Sequence, residues 1–325
     1  MANNPPTAAV PGIPSHISKN PGAIPDDYTG TDYAYKPPEG AKVEQSVNLR
    51  SNPAYNTFLD PFYNQGLMGS CVANASAACY RFEYKRHSLE SKIQNGQPVS
   101  PARLFIYYNA RAIVSDKLVD NGCQVRDALK SLAKKGVCEE ATWPYVMLKD
   151  QEKGQNDKSY QKYKDTETGK QPSPAAFTEA AKHMIVGYYR LDIDRDPKKT
   201  IGKDAMDADG KHVLDNVRYC LSEGHPVVTS FYWPEAKTQN VFTSTGPNNI
   251  VKLAPLSNIK ETHAKIPSPR SGHAILIVGY DEQAKAVLCQ NSWGDGHYPL
   301  IWIPYDWITD FTATNDFWMV RVVGN

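Results

Sequence analysis

Asn64-Gln65-Gly66-Leu67-Met68-Gly69-Ser70-Cys71 is the stretch on which the fold turns. Its two glycines allow a sharp change of direction, and the residues from Cys71 to Tyr84 then hold four alanines and neither glycine nor proline. That composition predicts a helix of about four turns starting at Cys71. A sulfur at the first position of a helix sits beside unpaired amide groups. The helix terminus and a neighbouring imidazolium both lower a thiol pKa, which a nucleophilic cysteine requires. Gln65, six positions earlier, is placed to donate its side-chain amide beside the backbone N–H of Cys71, the two forming an oxyanion hole. Taken alone, a cysteine in an alanine-rich helix is more often a small core residue, so the reading depends on a partner base.

That base stands far downstream, in Ser271-Gly272-His273-Ala274-Ile275-Leu276-Ile277-Val278-Gly279-Tyr280, followed by Ala286-Val287-Leu288-Cys289-Gln290-Asn291-Ser292-Trp293-Gly294. The two runs read as strands of a hairpin around Asp281 to Lys285. A loop centred on Glu282 places His273 directly opposite Asn291 on one face, where the carboxamide accepts from the imidazole N–H. His297 is the rival base, close in sequence to Asn291. His225 and His263 read as local hydrogen-bonding or solvent-facing residues.

Together these motifs resemble the papain-like cysteine peptidase superfamily, whose signature is a Gly-Ser/Ala-Cys core with His and Asn downstream. The Gln-Gly opening, Gly69-Ser70-Cys71, His273-Ala274 before an aliphatic strand ending Val278-Gly279-Tyr280, and Asn291-Ser292-Trp293-Gly294 follow the family's order. The resemblance implies an α+β, two-lobed fold: a helical lobe with a central helix starting at Cys71, a β-rich, barrel-like lobe, and the active-site cleft between them. It also implies that Cys71 attacks a peptide carbonyl and His273 protonates the leaving amine, with Asn291 orienting the histidine and Gln65 holding the oxyanion. Trp293 would shield the His273–Asn291 bond from water, and Gly272 would line the cleft beside the histidine. The resulting thioester is hydrolysed by water, and neither metal nor organic cofactor is called for.

Three departures stand out. Met68 occupies the position where secreted members carry a disulfide-forming cysteine, so that bridge is absent. Val72 replaces the usual aromatic residue after the nucleophile. After Gly294 the chain runs Asp295-Gly296-His297 in place of a second Trp-Gly. The interval from Cys71 to His273 also exceeds the roughly 130 to 150 residues usual in the family, which implies inserted loops.

The rest of the chain fits this frame. Lys and Arg number 36 against 35 Asp and Glu, so no global field recruits nucleic acid or an anionic membrane. No apolar run approaches the roughly 18 residues of a membrane span. Without a basic and apolar leader at Met1-Ala2-Asn3-Asn4-Pro5-Pro6, the expected location is the cytoplasm, or export by a route without a visible signal peptide. Six cysteines without C-x-x-C pairing indicate neither a disulfide framework nor a zinc site, although Cys123 and Cys138 could pair in an oxidising compartment. Cys79, Cys220 and Cys289 read as packing residues.

Residues 1–46, with Pro5-Pro6 and Pro37-Pro38, read as a proline-rich extension preceding a peptidase domain over 47–325. Helices are expected at 101–112, 126–135, 173–182 and 209–222, within a helical lobe of roughly 60–180 and at the start of a β-rich lobe of roughly 181–325. Strands are expected at 188–194, 226–233, 274–280, 286–290 and 317–323. Residues 149–172 are charged and almost free of aliphatics, and read as an exposed loop.

The function expected from this pattern is peptide-bond hydrolysis on a polypeptide substrate, with pocket walls near Phe231 to Trp233. The extension is a candidate pro-segment lying in the chain's own cleft, since extended segments fill grooves at little ordering cost. The alternatives are a papain-fold protein that performs acyl transfer or deamidation, or one that only binds a partner. The sequence leaves oligomeric state open.

Overall fold

A computed structural model describes residues 22–27, 31–90, 100–146, 158–192, 203–232, 241–245, 250–260, 272–310 and 312–321. In chain order these form β1 (Ser46–Asn48), α1 (Cys71–Glu90), α2 (Arg103–Arg111), α3 (Val125–Lys135), α4 (Lys158–Gly169) and α5 (Pro174–Ala180). There follow β2 (Gly187–Arg190), α6 (Lys203–Ser222), β3 (Val227–Tyr232), β4 (Phe242–Thr245), β5 (Val251–Leu253) and α7 (Leu256–Lys260). The chain ends with β6 (Gly272–Asp281), β7 (Ala286–Gln290), β8 (Leu300–Pro304), α8 (Tyr305–Thr309) and β9 (Thr314–Arg321).

α1 is longer than its composition suggested and is buried on every side from Cys71 to Glu83. Small residues make this arrangement workable, because alanines let neighbouring elements approach from all directions without side-chain entropy loss. α2 and α3 pack on one flank and β6 on the other. α3 closes at Gly136, whose φ of 72° lies in the left-handed region. α5 is capped by Ser173, whose hydroxyl accepts from the Ala176 N–H.

The strands form one ladder in the order β2-β9-β3-β6-β7-β8-β5-β4, with β1 added on β6. β6 is central: its residues from His273 to Tyr280 are buried, with α1 and α6 both packed against it. Burial on both faces explains the unbroken aliphatic run Ala274 to Val278. This is the two-lobed α+β arrangement expected from the sequence, with α6 inside the β-rich half.

Three expectations are corrected. Residues 158–169 are helical, not an exposed loop, and turn Lys164 and Thr168 into the protein; residues 149–157 lie outside the described set. β4, β5 and β8 were not foreseen. The β6–β7 register also differs: Asp281 pairs with Ala286 and Gly279 with Leu288, then a bulge shifts the ladder so that Ile277 meets Cys289 and Leu276 meets Gln290. Continued from there, His273 is not directly opposite Asn291 but two residues away on the same face. Without the bulge the odd offset near the turn would put the two side chains on opposite faces.

The described residues before β1 are bound at several points. Tyr280 Oη donates to the Glu44 carbonyl, and Tyr35, buried, donates its hydroxyl to Glu223 at 2.9 Å. The Tyr35 N–H donates to the Arg190 carbonyl and the Arg190 N–H to that of Tyr33, so the segment extends the β2 edge. Asp26 and Asp32 enter a buried cluster with Arg190, Asp192 and Asp316, where the guanidinium lies 3.0 to 3.7 Å from the four carboxylates.

Candidate active site

Cys71 opens α1 and is fully buried. Backbone groups of Ala274, Gly22 and Val72 lie close enough to its thiol to pull its pKa down, against burial. Ala274 follows His273, so the first two strong motifs of the sequence meet here. His273 Nε2 is 2.8 Å from Asn291 Oδ1. The carboxamide also accepts from the Ser292 N–H at 2.8 Å and donates through Nδ2 to the Tyr298 carbonyl at 3.1 Å, which fixes its orientation.

Trp293 covers the imidazole, with ring centroids 4.8 Å apart and planes 31° apart, and Phe231 meets it edge-on at 5.9 Å. Both aromatic residues are buried, so the His273–Asn291 bond is kept from water. Gln65 lies in the same shell. Its Nε2 donates to the Met68 carbonyl at 2.9 Å, its Oε1 accepts from Ser292 Oγ at 2.7 Å, and its backbone N–H donates to the Ser292 carbonyl. His297 is exposed at the surface.

Ser292 went unassigned in the sequence, yet it connects Gln65 to Asn291 through both its hydroxyl and its backbone. Its place in Asn291-Ser292-Trp293-Gly294 was the available signal. The turn before Cys71 is braced by residues that carry no local motif: Tyr145 Oη lies 2.6 Å from Ser70 Oγ and donates to the Gln65 carbonyl. Arg103 stacks against Tyr63 and Tyr145 and donates to Asn74 Oδ1 and the Asn64 carbonyl.

The segment Gly22–Ile24 lies in the groove over this site. Ala23 donates to and accepts from Gly272 at 2.9 and 3.0 Å, Cys123 N–H donates to the Gly22 carbonyl at 3.0 Å, and Ile24 N–H donates to the Cys123 carbonyl at 3.1 Å. The pairing with Cys123 is parallel and that with Gly272 antiparallel. Under this cover burial dominates the electrostatics: it pushes the Cys71 thiol up to about 11 against the pull of those backbone groups, and the His273 imidazole down to about 4. In the covered groove the pair is neutral at pH 7, so the lowered thiol pKa expected of the helix terminus does not hold in this state.

All six cysteines are free and buried, so Cys123 and Cys138 are not paired. Among the described residues no cluster of His, Cys, Asp or Glu could hold a metal ion, and no helix is long and apolar enough to cross a membrane.

Residues 121–309 match the Peptidase_C39 like family, a span that includes His273 and Asn291. The chain is 31% identical over 266 residues to the uncharacterized peptidase C1-like protein L477 of Acanthamoeba polyphaga mimivirus, covering 80% of this chain and 69% of that one. It superimposes on xylellain, a cysteine protease from Xylella fastidiosa, with a TM-score of 0.66 at 28% identity, covering 98% of this chain and 100% of that chain. Digestive procathepsin L 3 of Tenebrio molitor larval midgut shares the fold, with a TM-score of 0.57 at 14% identity over 94% of this chain and 78% of that one. The chain belongs to the papain-like cysteine peptidases.

Proposed function

We propose that the protein hydrolyses peptide bonds through Cys71, His273 and Asn291, and that its N-terminal extension keeps it latent. The observation that carries this reading is the convergence of the Cys71 sulfur, at a helix N-terminus, with the strand that holds His273 and its bond to Asn291. With Nε2–H donated to Asn291, Nδ1 is the ring nitrogen that exchanges a proton with the sulfur. Once the groove opens, water restores the ordinary pKa range of both groups, and the helix terminus and the imidazolium then favour the thiolate.

The thiolate attacks the carbonyl carbon of the substrate, and the oxyanion is held by the Cys71 N–H and the Gln65 carboxamide, which Ser292 orients. His273 gives its proton to the leaving amine, breaking the C–N bond. Water then adds to the thioester, losing a proton to His273, and the thiol is released with the acid product. Trp293 and Phe231 keep the His273–Asn291 bond dry and the imidazole fixed, and Gly272 offers backbone groups to an extended polypeptide substrate.

Latency is supported by the position of Gly22–Ile24, which uses the backbone donors and acceptors of Gly272 and Cys123 beside the proposed nucleophile. Four backbone hydrogen bonds at roughly 1 kcal/mol each hold it there, and the Asp26 and Tyr35 contacts add to them. On this reading the protein is a zymogen whose release requires removal or displacement of that segment. The test is labelling by a peptidyl epoxide, with the modified residue mapped by mass, on the full-length protein before and after limited proteolysis. Selective labelling of Cys71 that depends on His273 and rises after proteolysis is expected. Labelling no faster than that of a free peptide thiol in both forms would overturn the assignment.

A further inference from the structure

Helix α4 lies in a charged insertion that the proposed reaction does not use, yet it sends one lysine inward to the turn before Cys71. Lys164 Nζ is 3.1 Å from Asp120 Oδ2, with the two side chains 3% and 0% exposed. The same ammonium donates to the Leu67 carbonyl at 3.4 Å. Asp120 Oδ1 accepts from the Gly69 N–H at 2.9 Å and from the Tyr107 hydroxyl at 2.8 Å. The pair therefore grips both neighbours of Met68, Leu67 and Gly69, four and two residues before the proposed nucleophile.

The same carboxylate reaches the groove wall. Tyr107 Oη accepts from the Gly122 N–H at 3.0 Å, and Gly122 precedes Cys123, whose backbone pairs with the extension. The register of α4 is set by contacts on the same loop: Asp165 Oδ1 accepts from the Asp120 N–H at 2.9 Å, and Arg111 donates to the Val119 carbonyl at 2.6 Å and the Thr168 carbonyl at 2.5 Å.

A buried ion pair is a poor source of stability, because desolvation offsets most of the Coulomb gain. What it supplies here is direction: two hydrogen bonds accepted by one fixed carboxylate, which is held in place by the Lys164 ammonium. All six cysteines are free, so no disulfide ties this turn, and the ion pair flanks Met68 on both sides.

We propose that Asp120, held by Lys164, is a positioning residue that fixes the Cys71 turn and the Gly122–Cys123 groove wall as one unit. The proposal rests on Cys71 being the nucleophile. Misplacement by about 1 Å far from the reacting atoms can cost a hundredfold in rate, so loss of the tie is read in reactivity beyond any loss of folded protein.

The test uses the full-length chain carrying Gly22→Val to unseat the extension, as argued below, with iodoacetamide labelling of Cys71, peptide hydrolysis and thermal midpoint measured on each variant. Asp120→Ala is expected to slow labelling at least about tenfold at matched folded fraction. Asp120→Asn and Lys164→Met should each impair the site by stranding one charge, and the Asp120→Asn/Lys164→Met double variant should recover most of the rate. Tyr107→Phe should act chiefly on KM, since it cuts only the branch to the groove wall. Labelling rates within twofold of the parent in Asp120→Ala would overturn the proposal; if that variant does not fold, absence of recovery in the double variant does so. A parent whose Cys71 reacts no faster than a free peptide thiol would overturn the nucleophile assignment itself, whereas a fast parent with unaffected variants overturns only the role of Asp120.

Discussion

Gly22 lies against Gly69 so closely that a Cβ built on Gly22 would stand 2.0 Å from the Gly69 carbonyl oxygen. Real contacts of that kind do not occur, and the obstructing atom belongs to the backbone of the turn before Cys71, which cannot swing aside. Any side chain at 22 must therefore lift the segment out of the groove. The free energy holding it is a handful of hydrogen bonds, so Gly22→Val should raise the labelling rate of Cys71 and peptide hydrolysis by about tenfold or more. Side-by-side kinetics on the two full-length proteins check this, with equal rates counting against latency.

Asn291 Oδ1 serves both His273 Nε2 and the Ser292 N–H. Asn291→Ala removes the acceptor that fixes the imidazole and leaves Ser292 N–H unpaired in a buried setting. A fall of about a hundredfold in kcat is expected, with KM changing little, because the bond acts on the base and not on substrate contacts. Cys71→Ser and His273→Ala should abolish hydrolysis while the thermal midpoint stays within a few degrees of the parent. Steady-state kinetics with calorimetry separate these outcomes from simple unfolding.

The parts of this architecture that were legible in the sequence are those whose signal is local. The helix after Cys71 follows from alanine content, and β6 from an aliphatic run. The His273–Asn291 contact was anticipated through a wrong register, rescued by a bulge that hairpin arithmetic does not foresee. α4 was missed because its inward residues include Lys164 and Thr168, which carry no hydropathy period. β4 and β5 have four and three residues and owe their existence to partners far away in the chain. The Asp120 contacts involve α2, α4 and two loops, and no spacing rule connects them.

The docked extension is subject to two opposed proton linkages. Asp26 is pushed by burial from its ordinary 3.8 up to about 6, against the pull of Arg190, so docking takes up a proton between those values. This contribution is fully present below about 3.8 and is lost as pH rises through about 6. His273 is pushed the other way, from 6.5 down to about 4, so its contribution is present above 6.5 and is lost as pH falls through about 4. Over the shared window the two oppose each other, so occupancy of the groove should vary less with pH than either linkage alone would give. Asp26→Asn removes the first and leaves the second, so its extension should loosen on acidification by up to about tenfold per pH unit. Hydrogen-exchange protection at Ala23 and Ile24, corrected for intrinsic rates, is the measurement; the same flat profile in both proteins would sink the idea.

Tyr35 divides the extension into a part that covers the groove and a part that belongs to the core. It is buried, bonded to Glu223, and pairs with the backbone of Arg190 at the edge of β2. Residues 22–27 touch the groove and the buried Arg190 cluster, whereas residues 33–48 extend or cover the β-rich lobe. A chain beginning at Thr31 should therefore be open and active, with a thermal midpoint close to that of the whole protein. A chain beginning at Val47 should also be open but less stable, since burial of an aromatic side chain and its hydrogen bonds contributes on the order of 3 kcal/mol. Removing Tyr35 alone, as Tyr35→Ala in the chain beginning at Thr31, should reproduce most of that loss. Thermal melts of the four proteins decide the matter: equal midpoints would place the whole stretch before Val47 outside the folded domain, and a drop confined to the two lacking Tyr35 puts the boundary of the peptidase domain near Thr31.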